Sequence, residues 1–150
     1  MGYDKKIMEQ KVIIHIDGGS RGNPGPAAFG AVIDIGNERK EYSEAIGIAT
    51  NNQAEYQAAI FALKKVKQLI GKERSKSALV EVYLDSELLT KQINGEYKVE
   101  NENMQPLFLE LWNLRLDFGK VIFKHVLREQ NQEADRLVNA ALDKEANKLF

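Results

Sequence analysis

Three β-rich segments come before the first helical segment of this 150-residue chain, and this order limits the folds open to it. The segments are residues 11–17 (KVIIHID), 28–35 and 39–48, and each is rich in apolar or β-branched residues. Gly36 and Asn37 form a hairpin signal between the last two segments. Because strands that follow one another through short turns pair in opposite directions, we predict an antiparallel meander at the start of the fold.

The segment between the first two strands, residues 18–26, is rich in turn-forming residues. It holds four Gly and two Pro, which predicts a turn or loop. A Gly-rich loop after a strand can also bind nucleotide phosphates, but those motifs open a helix. Here a strand pattern follows, and neither Gly-Lys-Ser nor Gly-Lys-Thr is present. A mononucleotide site is therefore disfavoured.

After the third strand, helix and strand patterns alternate. Residues 51–69 have apolar positions at helical spacing, with Asn51 or Asn52 as the expected N-cap. The further predicted elements are a charged connection at 72–77, a strand at 78–84, a short helix from Ser86 to Asn94-Gly95, a helix at 104–118, a strand at 120–127 and a helix at 131–149. Strands joined through a helix pair in parallel, so we predict an α/β fold with a mixed five-stranded sheet flanked by helices.

Length and composition favour one domain. We expect residues 11–150 to fold as a single domain after a flexible tail at residues 1–10. No apolar run reaches the roughly 18 residues of a membrane span, the polar start does not resemble a signal peptide, and the chain has no Cys. We therefore expect a cytoplasmic protein with no membrane partner. The net charge of −1 argues mildly against a nucleic-acid partner, but carboxylates that hold metal ions would weaken this objection.

Four acidic residues stand in segments that suggest a shared site: Asp17 in IHIDGGSRGNPG, Glu55 in TNNQAEYQAA, Asp85 in VYLDSELL and Asp135 in NQEADRLVNAAL. Two end predicted strands and two lie in the first turns of predicted helices, and such positions can meet at the carboxyl edge of a sheet. Four carboxylates would repel one another without cations, and Mg²⁺ prefers oxygen ligands. Any one of the four alone is more simply a turn former or a partner of the helix dipole.

The order and contexts of these acids closely resemble the type 1 ribonuclease H family, from about residue 12 to residue 142. The resemblance implies a ribonuclease H fold and an endonuclease that hydrolyses the RNA strand of RNA/DNA hybrids, leaving 5′-phosphate and 3′-hydroxyl ends. It implies two Mg²⁺ ions, with Mn²⁺ as a substitute, held by all four acids. Asp17 would bridge both ions and Asp85 would hold metal beside it. Glu55 would bind one ion and orient the water or a 2′-hydroxyl, and Asp135 would hold the ion that activates the nucleophile.

The resemblance also assigns hybrid contacts to residues around two of the acids. These residues are Gly18, Asn23, Thr50, Asn51, Asn52 and Gln53. In the family the Asn of the glycine turn lies beside the minor groove of the hybrid, and the TNN segment contacts phosphates and base edges, where 2′-hydroxyls distinguish RNA from DNA. We expect Asn52 and Gln53 to read the strands and Thr50 to meet a DNA phosphate. The residues alone also allow a plain Asn-Pro turn at Asn23 and simple helix capping by Asn51 or Asn52.

One further catalytic residue is expected before the last acid, and two candidates compete for the role. Bacterial family members carry a His on a mobile loop, and an ungapped count places His125 there. The alternation in KVIFKHVL instead makes His125 a half-buried strand residue. The segment KHVLREQNQEAD resembles the shorter archaeal-type and plant-type version, in which an Arg serves, so Arg128 is the candidate for contacting the scissile phosphate or aiding release. His15, two residues before Asp17, is expected to pack in the sheet.

Part of the family pattern is missing from the chain. Residues 95–106 (GEYKVENENMQP) stand where many members have a basic, tryptophan-containing protrusion, and they contain three Glu and one Lys. This short form is similar to the archaeal-type branch. We therefore expect fewer phosphate contacts and a weaker, less salt-sensitive affinity for hybrids.

Two other functions stay open at this level. The chain could be a catalytically silent nucleic-acid-binding protein, which the presence of all four acids disfavours. It could also be a nuclease of the same fold with another substrate. Double-stranded RNA stays open as a side substrate, whereas a 3′→5′ exonuclease is disfavoured because those enzymes carry Asp-x-Glu on the first strand and Asp17 is followed by Gly-Gly. No obligate protein partner is evident.

Overall fold

The computed structural model describes residues 10–148. Within them lie the strands β1 (Lys11–Ser20), β2 (Gly25–Ile35), β3 (Glu38–Ala49), β4 (Leu79–Leu84) and β5 (Lys120–His125). The helices are α1 (Asn51–Ile70), α2 (Lys72–Ser75), α3 (Glu87–Ile93), α4 (Gln105–Arg115) and α5 (Gln132–Asn147), with a 3-10 turn at Arg128–Gln130. The expected flexible tail lies outside the described residues except for Gln10, whose carbonyl accepts a hydrogen bond of 2.9 Å from the Leu79 N–H.

The five strands form one mixed sheet in the order β3-β2-β1-β4-β5. The pairs β1–β2 and β2–β3 are antiparallel because short turns join them. The pairs β1–β4 and β4–β5 are parallel because helices connect those strands. The predicted fold class, a mixed five-stranded sheet flanked by helices, is confirmed.

Helices cover both faces of this sheet. Alternate residues of β1, namely Val12, Ile14 and Ile16, are buried in the main core together with the apolar face of α1. Helix α5 packs against β1, β2 and β3 from the other face, where Ala28 joins Val138 in a second buried cluster. The carboxyl end of β1 therefore lies between α1 on one face and α5 on the other.

The predicted loop at residues 18–26 is wrong in extent. Strand β1 continues to Ser20 and β2 begins at Gly25, with Gly18 opposite Phe29 and Ser20 opposite Ala27. Glycine favours turns on statistical grounds, but it also fits a strand where another element comes close. Asp17 therefore lies inside β1. It lies two residues beyond His15, the last residue of β1 that pairs with β4.

The predicted N-cap of α1 is also wrong, because Thr50 caps this helix. Its hydroxyl accepts from the Gln53 N–H at 3.1 Å, and the Gln53 side chain accepts from the Thr50 N–H at 2.8 Å. This reciprocal pair is a capping box, which a Gln three residues after the cap can complete as well as a Glu can. Because the helix begins at Asn51, Glu55 lies in the second turn and not in the first.

Smaller differences concern the ends of elements. The charged connection at 72–77 contains the short helix α2, and α4 ends at Arg115, three residues before the predicted end. Strand β5 ends at His125 because Leu127 precedes the 3-10 turn that leads into α5. Within residues 10–148, no helix combines the length and apolarity that crossing a membrane requires.

Candidate active site

Two of the four acids lie on neighbouring parallel strands. Asp17 follows the last residues of β1 that pair with β4, and Asp85 comes directly after the last residue of β4. Parallel neighbours end at the same edge of a sheet, and that edge is where α/β proteins bind ligands. The two carboxylates are therefore neighbours although 68 residues separate them.

Glu55 reaches the same edge because α1 packs unusually close to β1. A Cβ atom on Gly18 would lie 2.3 Å from the carbonyl carbon of Ala54 and 2.4 Å from the nitrogen of Glu55. Only glycine allows this approach, since real Cβ atoms do not come so near to backbone atoms. Because residue 18 has no side chain, α1 can pack directly against the backbone of β1 next to Asp17, and this places Glu55 close to Asp17.

The four acids share one polar cleft but are not equally close. Carboxylate oxygens of Asp17, Glu55 and Asp85 lie within 4.8 Å of one another. Asp135, in the first turn of α5, lies outside this tight group and lines the same cleft of about 490 Å³. All four predicted acids are therefore brought together at one edge of the sheet.

Burial and mutual repulsion raise the pKa values of these carboxyl groups. Asp17, only 9% exposed, has its pKa raised to about 8 by burial first and then by Asp85, Asp135 and Glu55. Burial raises the pKa of Glu55 to about 7, although a hydrogen bond from Ser86 opposes the shift. Burial also raises the pKa of Asp85, and the nearby Arg128 opposes that shift. Such a set is unfavourable as bare anions and suits hard divalent cations that take oxygen ligands.

Arg128 and His125 differ in their relation to the cleft. Arg128 begins the 3-10 turn and lines the cleft, and its charge opposes the upward shift that burial causes in the Asp85 pKa. His125 also opposes the upward shift of the Asp85 pKa, but its effect is smaller than that of Arg128. The expected half-buried state of His125 is wrong: it is exposed, because β5 is an edge strand and His125 is its last residue. His15 lies within the sheet as expected, half-buried and stacked on Tyr83 at 5.1 Å between ring centroids.

The expected hybrid-contact residues have three different structural roles. Gly18, Asn51 and Asn52 line the cleft. Asn23 accepts from the Asn51 N–H at 3.0 Å, and the Asn51 side chain accepts from the Ser20 N–H at 2.8 Å, so these residues tie the glycine-rich turn to α1. Thr50 and Gln53 form the capping box described above.

Several cleft residues were not identified from the sequence as parts of a site. They are Gly19, Ser20, Arg21, Ser86, Val138, Asn139 and Leu142. Ser86 was expected only to cap α3, which it does by accepting from the Leu89 N–H at 3.1 Å, yet it also bonds to Glu55. The Asn139 amide donates to the Asp135 carbonyl at 3.1 Å and lies 3.5 Å from its carboxylate. A polar residue four positions after a helical acid was the available signal for Asn139.

Comparison with known proteins agrees with this geometry. The family described as "Reverse transcriptase-like" matches residues 15–141. The Ribonuclease H of Symbiobacterium thermophilum is 36% identical over 140 residues, covering 89% of this chain and 95% of that protein. The structure of LC11-RNase H1 in complex with an RNA/DNA hybrid has a TM-score of 0.84 and 40% identity, covering 90% of this chain and 99% of that one.

A longer relative is also similar. Bifunctional protein Rv2228c of Mycobacterium tuberculosis is 40% identical over 136 residues, which are 89% of this chain, and the chain spans 36% of that protein's length. The similarity to the Symbiobacterium protein, in contrast, extends over nearly all of both chains. Because sequence, fold and structural neighbours agree, the chain belongs to the type 1 ribonuclease H family.

Proposed function

We propose that this protein hydrolyses the RNA strand of RNA/DNA hybrids and leaves 5′-phosphate and 3′-hydroxyl ends. The observation that supports this most directly is the group of Asp17, Glu55 and Asp85, whose carboxylate oxygens lie within 4.8 Å of one another. Membership of the ribonuclease H family, and the hybrid bound by LC11-RNase H1, support the same substrate.

The carboxylates fit two Mg²⁺ ions, with Mn²⁺ as a substitute. Asp17 lies at the centre of the set, since Asp85, Asp135 and Glu55 all raise its pKa, and we assign it to both ions. Asp85 would hold metal beside it, and Glu55 and Asp135 would each complete one ion. When bound, such ions would supply Lewis-acid chemistry, which would activate the attacking water and offset the negative charge on the leaving oxygen of the phosphodiester.

The chain's own residues orient the reacting groups around that centre. Ser86 acts on the Glu55 carboxyl group by a side-chain hydrogen bond and would help to hold it where it can orient the water or the 2′-hydroxyl next to the scissile bond. Asn139 holds Asp135 from the following turn of α5. Arg128 stands at the rim beside Asp85, where its planar guanidinium would contact the scissile phosphate or speed product release.

The cleft walls suit an A-like minor groove. Gly18 and Asn52 line the cleft directly, while Asn23 and Asn51 are held by the turn-to-helix hydrogen bonds, so the glycine-rich turn and the start of α1 form one rigid wall. Side-chain amides and backbone groups at such a wall can bond to 2′-hydroxyls and base edges. Gln53 would read the strands together with Asn52, and Thr50 would meet a DNA phosphate.

The test is cleavage of end-labelled substrates of one sequence as RNA/DNA hybrid, RNA/RNA duplex and single-stranded RNA, each with Mg²⁺, Mn²⁺ or EDTA. We expect internal cuts in the RNA of the hybrid with either metal and none in EDTA. Ligation of the downstream product without kinase treatment checks the 5′-phosphate. Cuts in the RNA duplex would extend the substrate range. Hybrid binding without cuts in either metal would contradict the proposal and favour a silent binding protein.

A further inference from the structure

One buried side chain joins the two elements that carry Asp17 and Asp135. Asn131 is 1% exposed, and its amide nitrogen donates a 2.8 Å hydrogen bond to the Ile16 carbonyl, 115 residues away in the chain. Ile16 directly precedes Asp17 in β1. The Asn131 carbonyl accepts from the Asp135 N–H at 3.2 Å. A single residue therefore bonds both to the peptide group before one acid and to the backbone of the other.

Asn131 makes this bond instead of the one expected at its position. It is the residue before α5, where an Asn side chain usually caps the helix, but no side-chain cap bond is present. Its Oδ1 atom is buried without a hydrogen-bond partner among the described residues. Both features oppose stability, since buried polar groups normally have partners. A residue that serves stability alone would not be expected to keep this arrangement.

The glycine opposite Asp17 sets how closely α5 approaches at the same level. Gly30 is the cross-strand partner of Asp17. A Cβ atom there would lie 2.7 Å from the Ala134 carbonyl oxygen and 2.8 Å from Leu137 Cβ. The first turns of α5 are thus pressed against β2 beside Asp17. The contact with Gly30 limits how closely α5 can approach the sheet. The hydrogen bond from Asn131 to Ile16 opposes movement of α5 along β1.

We propose that Asn131 is a positioning residue that sets the distance between the Asp135 and Asp17 carboxylates and thereby the affinity of the acid cluster for divalent metal. Asp135 lies outside the tight group of the other three acids, so its contribution depends on where α5 begins. The inference rests on the proposed function for its catalytic consequence, but metal affinity can be measured without turnover.

The test uses Asn131→Ser with Asn94→Ser as its matched control. Serine is a good N-cap, so Asn131→Ser can restore the missing cap of α5 while its short side chain loses the bond to Ile16. Asn94 makes the same kind of bond, from its amide nitrogen to the Phe123 carbonyl at 3.2 Å, between the end of α3 and β5. Mn²⁺ titration by calorimetry, urea unfolding in EDTA, and kcat and KM on a labelled hybrid would be measured for both variants and the parent protein.

We expect Asn131→Ser to weaken Mn²⁺ binding and to lower kcat by about 10-fold to 100-fold, as losses of groups that orient metal ligands do. KM for the hybrid should change less than kcat, and Asn94→Ser should keep parental metal affinity. Unchanged Mn²⁺ affinity in Asn131→Ser would overturn the inference. If the parent protein binds Mn²⁺ but cleaves nothing, the proposed function fails, while weaker Mn²⁺ binding by Asn131→Ser would still support the positioning role.

A second variant covers failure of Asn131→Ser to fold. Asn131→Asp has the same shape and caps helices, and in its ionised form it only accepts hydrogen bonds and cannot donate to Ile16. Its added negative charge by itself favours cation binding. Weaker Mn²⁺ binding by Asn131→Asp would therefore support the positioning role, and equal or tighter binding would overturn it.

Discussion

Burial and repulsion between carboxylates affect Asp17 more than any other acid of the site whose pKa shift is resolved. Asp17 is buried, and burial first and then three other carboxylates raise its pKa to about 8. In a protein without bound cations such a group opposes folding when it is ionised. The same arrangement favours metal binding, because a cation removes the repulsion that the fold imposes.

Replacing Asp17 by Asn separates these two effects. We expect Asp17→Asn to reduce the rate of hybrid cleavage by more than the ~100-fold that is typical when a residue that only orients a metal ligand is lost. In EDTA above pH 8, where most of the Asp17 carboxyl group is ionised, the melting temperature of the variant should be equal to or above that of the parent, because an isosteric neutral amide replaces a destabilising charge. Cleavage assays and thermal unfolding would be compared with Asp117→Asn, which removes a half-buried acid paired with Lys67. Mg²⁺-dependent cleavage at the parental rate would contradict the assignment of Asp17.

The raised pKa values also predict how stability depends on pH. Asp17 and Glu55 have folded-state pKa values of about 8 and about 7, above their ordinary 3.8 and 4.5. Between the ordinary and the raised pKa values, the folded state therefore binds more protons than the unfolded state does. The contribution of these two groups to the free energy of unfolding is lost as pH rises from their ordinary pKa values through their folded-state pKa values. In EDTA we expect urea unfolding to show lower stability at pH 8 than at pH 5. Mg²⁺ should restore stability at pH 8, and Asp17→Asn should flatten the pH dependence. A metal-free protein more stable at pH 8 would contradict these pKa directions.

At the scale of elements, the site depends on how closely two helices approach the sheet. Gly18 allows α1 to pack closely on one face of the strands around Asp17, and Gly30 allows α5 to pack closely on the other face. Helices at ordinary distance from a sheet would keep Glu55 and Asp135 farther from the strand carboxylates. The two glycines therefore matter for the site as much as for packing.

A pair of adjacent glycines tests this dependence. Gly18→Ala would place a Cβ atom against the backbone of α1, and we expect it to cost about 1–3 kcal/mol of stability. It should also weaken Mn²⁺ binding, since α1 must move away with Glu55. Gly19→Ala is the control, because its Cβ would lie 3.4 Å from a Val138 methyl group, an ordinary contact. Urea unfolding and Mn²⁺ calorimetry would compare them, and equal values for both variants would show that close approach of α1 is unimportant.

At the scale of the whole molecule, charge limits how the protein can bind nucleic acid. The net charge is −1, and the segment between α3 and α4 has no helix or strand in the structure and carries three Glu. Affinity for a hybrid must then come from groups around the cleft. Arg128 and Arg21 line the cleft, and Arg21 is partly neutralised by Asp143 at 2.7 Å.

The salt dependence of hybrid binding measures this directly. We expect a shallow slope of log affinity against log salt, because few phosphates are neutralised. Arg128→Ala should reduce the slope by about one, and Arg74→Ala, on α2, should leave it unchanged. Fluorescence anisotropy with a labelled hybrid in Ca²⁺ would supply the values. A steep slope, or equal slopes for both variants, would contradict the role given to Arg128.

Some features of this protein follow from local sequence alone. The order of strands and helices was predicted because hydrophobic periodicity is a local property, and the mixed sheet follows from the lengths of the connections. The four acids were found because each stands in a distinctive segment. Errors occurred where a residue type has two uses. Glycines 18 and 19 were assigned to a loop, and Asn51 or Asn52 was preferred to Thr50 as the cap of α1.

Tertiary structure decided the rest, because burial and repulsion depend on residues that are distant in sequence. The sequence by itself determined which acids the chain carries and which strands and helices hold them. Only packing buried Asp17, raised its pKa to about 8 and left Asp135 outside the tight group. Packing also left His125 exposed at an edge strand and buried Asn131 against Ile16. No local pattern contains these facts, since each is a distance between segments that the folded chain brings together.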